Sequence, residues 1–305
     1  MIKKCLGCGI KLQDKDLLKI GYTPDLKNKY CQRCFKIINY HENIKTNEFL
    51  KKEEILKYIK NNKLKVIFLI DFLNINKELI EIYQNINNKK ILVLTKSDII
   101  PKNIIINSLI KNIKDVYKIK EDILYINSKY NDNLEIIKSF IKKEKKVILI
   151  GLTSVGKSSL INSLSNSLLT VSEYQNTTLD IIKVKYEDNV LYDVPGFSVD
   201  YEIINVKKRI KPKVYQLENK YYLKILDFCI YCDKDNDFIL YLSNDLKVEK
   251  RKVKEKFKKK IKVLKNSDLI IKGIGFIKIK EECEVFVAGK YDVEVRRSII
   301  GGIHE

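Results

Sequence analysis

The sequence predicts an α/β chain with two smaller flanking modules, and three observations support this. Short apolar runs alternate with amphipathic segments between residues 64 and 165, which is typical of parallel strands connected by helices. A glycine-rich loop, GLTSVGKS, follows one of these runs. Two C-x-x-C pairs precede the region, and short strand-like runs follow it. We expect a zinc-binding module at residues 1–48, an α/β domain at 49–205 and a β-rich domain at 206–305.

The glycine-rich loop is predicted to bind phosphate. Residues 147–150 read as a buried strand, and G-x-x-x-x-G-K-S then runs from Gly151 through Gly156 and Lys157 to Ser158. Backbone N–H groups of such a loop, together with the N-terminus of the next helix, surround an anion. Lys157 would reach the β- and γ-phosphates, and the Ser158 hydroxyl would bind Mg²⁺. The remaining candidate positions of the loop are Ser154, Val155 and Ser159.

The N-terminal cysteines predict a structural zinc site. Cys5 and Cys8 form one pair and Cys31 and Cys34 the other, with 22 residues between the pairs. Each C-x-x-C turn directs two sulfurs to one point, so that two pairs complete a tetrahedral shell. A disulfide or redox pair is the alternative, although a thioredoxin-like site needs one pair in a βαβ unit. We expect His41 to lie at the surface, because four cysteines already fill the shell.

Charge and hydropathy restrict the partners. The 305-residue chain has a net charge of +20, which favours a polyanion such as RNA, although the Lys-rich composition accounts for part of this excess. The sequence has no apolar run of 18 residues and no recognisable secretory signal. We therefore expect a cytoplasmic monomer without stable membrane association.

Further motifs follow the predicted strands. The strands at 64–71, 90–94 and 123–126 precede the phosphate loop, and the last two end in TKSD (residues 95–98) and NSK (residues 127–129). After the loop, strands at 181–186 and 190–192 lead into DVPG, from Asp193 to Gly196. In a D-x-x-G motif the carboxylate lies near Mg²⁺ and the glycine N–H near the γ-phosphate. Ligands bind where parallel strands end, so we expect these motifs to form one site.

The order of the motifs predicts a circular permutation. An ordinary GTPase has the phosphate loop, the switch threonine, DxxG, NKxD and SAK in that order. Here TKSD and NSK come first, followed by GLTSVGKS, TT and DVPG. Joining the ordinary termini and opening the chain after DxxG gives this order without altering the sheet. We predict a circularly permuted P-loop GTPase domain over residues 62–205.

The chain resembles the YqeH family of circularly permuted GTPases, which are implicated in small ribosomal subunit assembly. The resemblance lies in CLGCGIKLQ…YCQRCFKIINYHEN, GLTSVGKSSLIN, NTTLDIIKV…LYDVPG, IKPKVYQLENK, YLSNDLKVEK, DLIIKGIGF and RRSII. It implies a GTP-hydrolysing switch that uses GTP or GDP, Mg²⁺ and Zn²⁺. It also implies binding to the small ribosomal subunit or its rRNA.

The resemblance assigns roles to individual residues. Asp98 would accept hydrogen bonds from guanine, and Lys96 would pack its stem over the base. Thr95 replaces the family's Asn, so we expect a base or loop contact to be lost. Ser128 and the N–H of Lys129 would bind guanine at O6. Thr178, with Thr177 as the alternative, would bind Mg²⁺ together with Ser158 and Asp193.

Catalysis is expected to involve Lys157, Thr178 and Gly196. Ras-type proteins orient water with a Gln after DxxG, whereas this chain has Phe197, so we expect slow intrinsic turnover with an activating partner or cation. Ser154 replaces the Asn that recruits K⁺ in several permuted GTPases, so we do not expect activation by K⁺. Three alternatives stay open: an RNA-binding scaffold with a nearly inactive GTPase domain, a large-subunit assembly GTPase, and an ATPase, which Asp98 disfavours.

The C-terminal region reads as β-rich, with runs at 221–226, 238–243, 270–280 and 284–288. Residues 247–265 contain eleven Lys or Arg and two Glu, with apolar residues at helical spacing. We expect a basic amphipathic helix that contacts RNA or is simply solvated, with a membrane-surface role less favoured. Cys229 and Cys232 are predicted to lie on opposite faces of a strand and to be structural, and Cys283 to be a small apolar residue.

Overall fold

The structure is a computed structural model of the chain. It describes residue 5 and residues 11–16, 21–32, 35, 52–127, 132–165, 169–171, 181–194, 196–197, 199–253, 257 and 259–301. The chain divides into two compact units, each discontinuous in sequence. The first comprises Met1–Ile70, Ile86–Thr95 and Leu124–Ser198, and the second comprises Asp71–Asn85, Lys96–Ile123 and Val199–Glu305.

The helices between the strands follow the α/β alternation that the sequence predicts, whereas the first helix, at residues 52–61, was not predicted. In the described residues the α-helices are α1 (Lys52–Asn61), α2 (Lys77–Gln84), α3 (Ile106–Tyr117), α4 (Leu134–Glu144) and α5 (Lys157–Ser165). Asn76 caps α2, because its side chain accepts a hydrogen bond from the N–H of Leu79 at 3.0 Å. Among the described residues, no helix is long and apolar enough to span a membrane.

A seven-stranded sheet forms the region that the sequence predicts to be a permuted GTPase domain. Its strands are β1 (Lys65–Asp71), β2 (Lys90–Thr95), β3 (Ile123–Tyr125), β4 (Lys146–Gly151), β5 (Leu169–Val171), β6 (Ile182–Tyr186) and β7 (Asn189–Asp193). Their order is β3-β2-β1-β4-β7-β6-β5. β4 is parallel to β1 and β7, whereas β6 and β7 form an antiparallel hairpin. The strands that precede β4 in sequence thus lie on one side of it and the DVPG strand on the other, as the permutation predicts.

The predicted β-rich C-terminal region is confirmed. Its strands are β8 (Lys213–Leu217), β9 (Tyr221–Ile225), β10 (Phe228–Cys232), β11 (Asn236–Leu242), β12 (Val248–Lys252), β13 (Lys259–Val263), β14 (Ser267–Ile271), β15 (Gly275–Ile279), β16 (Cys283–Ala288) and β17 (Val293–Arg297). One sheet has the order β12-β9-β10-β16-β13 and the other β17-β14-β15-β11-β8. Both sheets contribute to one core that includes Leu223, Ile230, Phe238 and Ile277. This is the arrangement of a β-sandwich.

The predicted basic helix at residues 247–265 is wrong. Its two ends are β12 and β13, which pair with β9 and β16 at the two edges of one sheet. Along β13, exposed Lys262 precedes buried Val263, which is the alternation of a strand. Leu264, one of the apolar residues that suggested a helical face, is 60% exposed. Lys-rich sequences suit edge strands because their charges discourage pairing with other chains.

Candidate functional site

Two glycines shape the phosphate loop between β4 and α5. Gly151 has a φ of +155° and Gly156 a φ of +108°, both in the region that favours glycine. A Cβ atom at Gly151 would lie 2.5 Å from the carbonyl oxygen of Leu69 in β1. The backbone therefore turns at a position that a side chain would block. The helix begins at once, and the N–H of Leu160 donates to the carbonyl of Gly156 at 2.9 Å.

Lys157 is buried inside this loop. Its Nζ donates hydrogen bonds to the carbonyl oxygens of Gly151 at 3.1 Å and Leu152 at 2.8 Å. Burial lowers the pKa of Lys157 to about 8, while the nearby Asp193 carboxylate acts in the opposite direction. The acceptors of these two hydrogen bonds are neutral carbonyl groups rather than a carboxylate. The charge of the ammonium therefore remains available to an incoming anion.

The DVPG segment lies against the phosphate loop. Asp193 ends β7, where it pairs in register with Leu149 of β4. Gly196 lies so close to the loop that a Cβ atom would be 2.5 Å from the N of Thr153. Phe197 is buried, forms a bridge with Leu152, and its ring centroid lies 6.1 Å from that of Phe68. Its side chain belongs to the core, and an apolar ring cannot orient water.

Thr95 contacts the phosphate loop directly. Its hydroxyl donates to the carbonyl of Val155 at 2.6 Å and lies 3.3 Å from the carbonyl of Ile70. Thr95 therefore keeps a contact with the phosphate loop, and the expected loss relative to the family's Asn stays a prediction. A hydroxyl is short, but Gly156 beside it leaves room, since a Cβ atom there would approach no closer than 3.9 Å to Thr95.

The rest of the TKSD segment belongs to the second unit. Lys96 has a left-handed backbone with φ of +52°, and its Nζ donates to the side-chain oxygen of Asn205 at 3.1 Å. The same Nζ lies 3.4 Å from the Asp71 carboxylate. Asp98 is half-buried in a 3₁₀ turn, and its main-chain carbonyl accepts a hydrogen bond from Arg209 Nε at 3.2 Å. Sequence reasoning missed Asn205 and Arg209, because no motif marks them.

The residues proposed for Mg²⁺ fit a hard cation in their chemistry. Ser158 is half-buried at the start of α5, and Asp193 ends β7. A hydroxyl and a carboxylate are the oxygen ligands that Mg²⁺ prefers. The other loop candidates differ in exposure. Ser154 is half-buried with φ of +60°, Val155 is buried and Ser159 is exposed.

Several predicted site residues lie outside the described residues. They are Ser128, Lys129, Thr177, Thr178, Cys8, Cys34 and His41. Cys5 and Cys31, one from each cysteine pair, are described and buried. The N–H of Cys31 donates to the sulfur of Cys5 at 3.1 Å, so these two residues are in contact. The zinc site itself stays a prediction.

Two family models match the chain. The model described as RsgA GTPase matches residues 41–202, and the model described as 50S ribosome-binding GTPase matches residues 146–272. The uncharacterized protein YqeH of Bacillus subtilis (strain 168) is 27% identical, and the match covers 82% of this chain and 78% of that protein. The crystal structure of YjeQ from Thermotoga maritima is similar at 20% identity and a TM-score of 0.35, over 47% of this chain and 51% of that chain.

The RsgA GTPase match spans more than half of the chain and includes both TKSD and the phosphate loop. GTPases of this kind use GTP or GDP together with Mg²⁺. The strand order and the order of the motifs agree with a permuted GTPase sheet. The chain therefore belongs to the RsgA GTPase family, has the circularly permuted P-loop GTPase fold, and is a GTP hydrolase.

Proposed function

We propose that this protein is a GTP-dependent switch that assists assembly of the small ribosomal subunit. The observation that carries the ribosomal part is a row of aromatic and basic side chains across one C-terminal sheet. The nucleotide part rests on the buried Lys157, whose ammonium donates its two hydrogen bonds to main-chain carbonyl groups.

The aromatic row crosses all five strands of its sheet in register. Arg251 of β12 pairs with Tyr222 of β9, which pairs with Tyr231 of β10. Tyr231 pairs with Phe286 of β16, and Phe286 with Lys260 of β13. The three aromatic residues are half-buried, and the two cations at the ends of the row are exposed.

These side chains form an aromatic and basic surface together with Phe257, whose ring centroid lies 5.7 Å from that of Tyr222 and 5.0 Å from that of Tyr231. The rings of Tyr231 and Phe286 are stacked at 4.7 Å, and Lys260 Nζ lies 5.9 Å from the Phe286 ring centroid. Aromatic faces stack with unpaired bases, and flanking cations bind the phosphates between them. The basic edge strands therefore contribute charge to a stacking surface, in place of the helix that the sequence predicts.

For the nucleotide, we propose that Asp98 selects guanine and that Ser128 and the N–H of Lys129 contact O6. Lys96 would cover the base, while Lys157 and the loop N–H groups bind the phosphates. Mg²⁺ would be held by oxygens of three residues, namely Ser158, Thr178 and Asp193. We also propose that Cys5, Cys8, Cys31 and Cys34 bind a structural zinc ion.

The segment after DVPG supports a coupling between the nucleotide state and the C-terminal sandwich. Arg209 donates to the carbonyl of Asp98, and the N–H of Ile210 donates to the carbonyl of Ile99 at 2.9 Å. The same segment continues into β8 at Lys213. A movement of the TKSD turn on nucleotide binding would therefore be transmitted to the sandwich through two hydrogen bonds and a few residues of chain.

Co-sedimentation with purified ribosomal subunits tests the proposal. We expect binding to small subunits with a non-hydrolysable GTP analogue and at least tenfold weaker binding with GDP or without nucleotide. The double variant Tyr231→Ser/Lys260→Glu should lose binding. Lys185→Glu reverses the charge of an exposed lysine elsewhere and should bind normally. Equal binding in all nucleotide states would instead support a scaffold, which Phe197 also favours.

A large-subunit role is the second candidate. It is favoured by the match of residues 146–272 to the model described as 50S ribosome-binding GTPase. The same sedimentation experiment decides between the two, since each subunit is tested alone. Binding to large subunits only would replace our proposal with this candidate. Binding to neither subunit would contradict both.

A further inference from the structure

Three potential metal ligands meet where β10 ends and β16 begins. The two strands are antiparallel neighbours, so the last residue of one lies beside the first residues of the other. Cys232 ends β10, Asp233 follows it, and Cys283 begins β16. The sulfurs of both cysteines and a carboxylate oxygen of Asp233 all lie within 4.8 Å of one another. No local sequence pattern predicts this group, because Cys232 and Cys283 are 51 positions apart.

The group has an interior side and a solvent side. Cys232 is fully buried and Cys283 is 3% exposed, and both belong to the core of the sandwich. Asp233 is exposed at the rim. A cation bound here would therefore have two sulfur ligands beneath it and a carboxylate and solvent above it.

Neighbouring groups fix the orientation of the ligands. The N–H of Glu284 donates to Asp233 Oδ1 at 3.0 Å, and the N–H of Asp233 donates to the carbonyl of Glu284 at 3.1 Å. The side-chain amide of Asn236 donates to the sulfur of Cys232 at 4.0 Å. Such outer contacts orient metal ligands and moderate the charge on a thiolate.

We propose that Cys232, Asp233 and Cys283 bind a zinc ion, with water in the fourth position. Zn–S bonds of about 2.3 Å place tetrahedral ligands ~3.8 Å apart, so the observed separations need only small side-chain rotations to close. Two thiolates select zinc over Mg²⁺ or Ca²⁺, which prefer oxygen ligands. A water position makes this site chemically different from the closed four-cysteine site expected at the N-terminus.

The metal content of the full-length protein tests the proposal. We expect Cys283→Ser to lose one equivalent of zinc relative to the unaltered chain, measured by elemental analysis after gel filtration. Cys229→Ser is the matched control, since Cys229 lies on the same strand with its side chain on the other face, and it should lose none. Asp233→Asn should bind at least tenfold more weakly. Equal zinc content in Cys283→Ser and the unaltered chain would overturn the proposal.

A second measurement avoids any change in the sandwich. The double variant Cys5→Ser/Cys31→Ser removes two ligands of the N-terminal site and leaves this group intact. Loaded with Co²⁺, it should still show the thiolate-to-cobalt charge-transfer absorption, and the band should disappear when Cys283→Ser is added. Absence of the band in the double variant would overturn the proposal, as would a disulfide between Cys232 and Cys283 in the native protein.

Discussion

Lys157 and Arg296 are both buried cations, 8% and 6% exposed, but their surroundings differ. Lys157 donates to two carbonyls of its own loop. Arg296 Nε donates to the Asp268 carboxylate at 3.0 Å, and its guanidinium lies 4.8 Å from the Phe276 ring centroid. The pKa of Lys157 is lowered by burial, whereas that of Arg296 is raised, because Asp268 and Tyr117 outweigh the lowering effect of burial.

The difference distinguishes a functional charge from a structural one. Arg296 is neutralised and also donates to the carbonyl of Ile75, so that it joins the C-terminal strands to the turn after β1 within the second unit. The two hydrogen bonds of Lys157 go to neutral carbonyl groups and do not neutralise its charge. This buried charge lowers the stability of the fold while no anion is bound. A phosphate would supply the missing negative charge. Arg296 therefore maintains the fold, whereas the charge of Lys157 is available to the ligand.

The largest expected effect follows from removing the structural cation. Arg296→Met leaves the Asp268 carboxylate buried without its partner, and we expect a loss of about 3–5 kcal/mol in the free energy of unfolding. The double variant Arg296→Met/Asp268→Leu should recover most of this loss, because no charge is left buried. Denaturant unfolding monitored by circular dichroism measures both values. A single variant as stable as the unaltered chain would contradict the structural role.

Removing the functional cation, Lys157, should weaken GTP binding without lowering the free energy of unfolding. Lys157→Met keeps the length of the side chain, so the free energy of unfolding without nucleotide should not fall. Affinity for GTP should fall by roughly ten- to a hundredfold, since charged hydrogen bonds contribute about 1.5–3 kcal/mol. Calorimetric titration with GTP gives the affinity. A variant that loses stability and retains affinity would reverse our assignment of the two cations.

The pH dependence sharpens the comparison. Lys157 has a pKa of about 8 in the folded chain and an ordinary value of 10.5 when unfolded, so the unfolded chain holds more protons between these values. The penalty of the buried charge is therefore fully present below pH 8 and is relieved as the pH rises towards 10.5. The difference in stability between Lys157→Met and the unaltered chain should shrink over this window. A constant difference from pH 7 to pH 10 would argue against the shift.

A smaller effect is expected at the contact between Thr95 and the phosphate loop. Thr95→Val removes the hydroxyl and leaves the Val155 carbonyl without this donor, which should weaken GTP binding by about 0.5–1.5 kcal/mol. Thr95→Ser retains the hydroxyl and serves as the control. Both affinities come from the same calorimetric titration. An equal loss in both variants would assign the effect to packing.

The sequence predicted features that depend on neighbouring residues. The GKS turn and the alternation of strands and helices could be predicted, because each depends on a short stretch of residues. The permuted order could be predicted because each motif has a fixed role. The prediction of a basic helix was wrong because the helical spacing of its apolar residues does not reflect the structure. These residues are Val253, Phe257, Ile261 and Leu264. Pairing with β9 and β16, distant in sequence, decides the structure there.

Polar contacts between residues distant in sequence could not be predicted either. The contact of Asp268 with Arg296 joins residues 28 positions apart, and that of Thr95 with Val155 spans 60. No local pattern encodes such pairs. The roles of Ser128, Lys129 and Thr178 stay predictions, since they lie outside the described residues.

GTP turnover with and without Lys157 tests the central claim most directly. Phosphate release would be followed for the full-length protein and for Lys157→Met, with GTP alone and with excess ATP as competitor. We predict slow turnover of GTP that excess ATP does not inhibit, and its loss in Lys157→Met. Turnover that ATP suppresses, or that persists unchanged in Lys157→Met, would contradict a GTPase whose phosphate site is centred on this buried lysine.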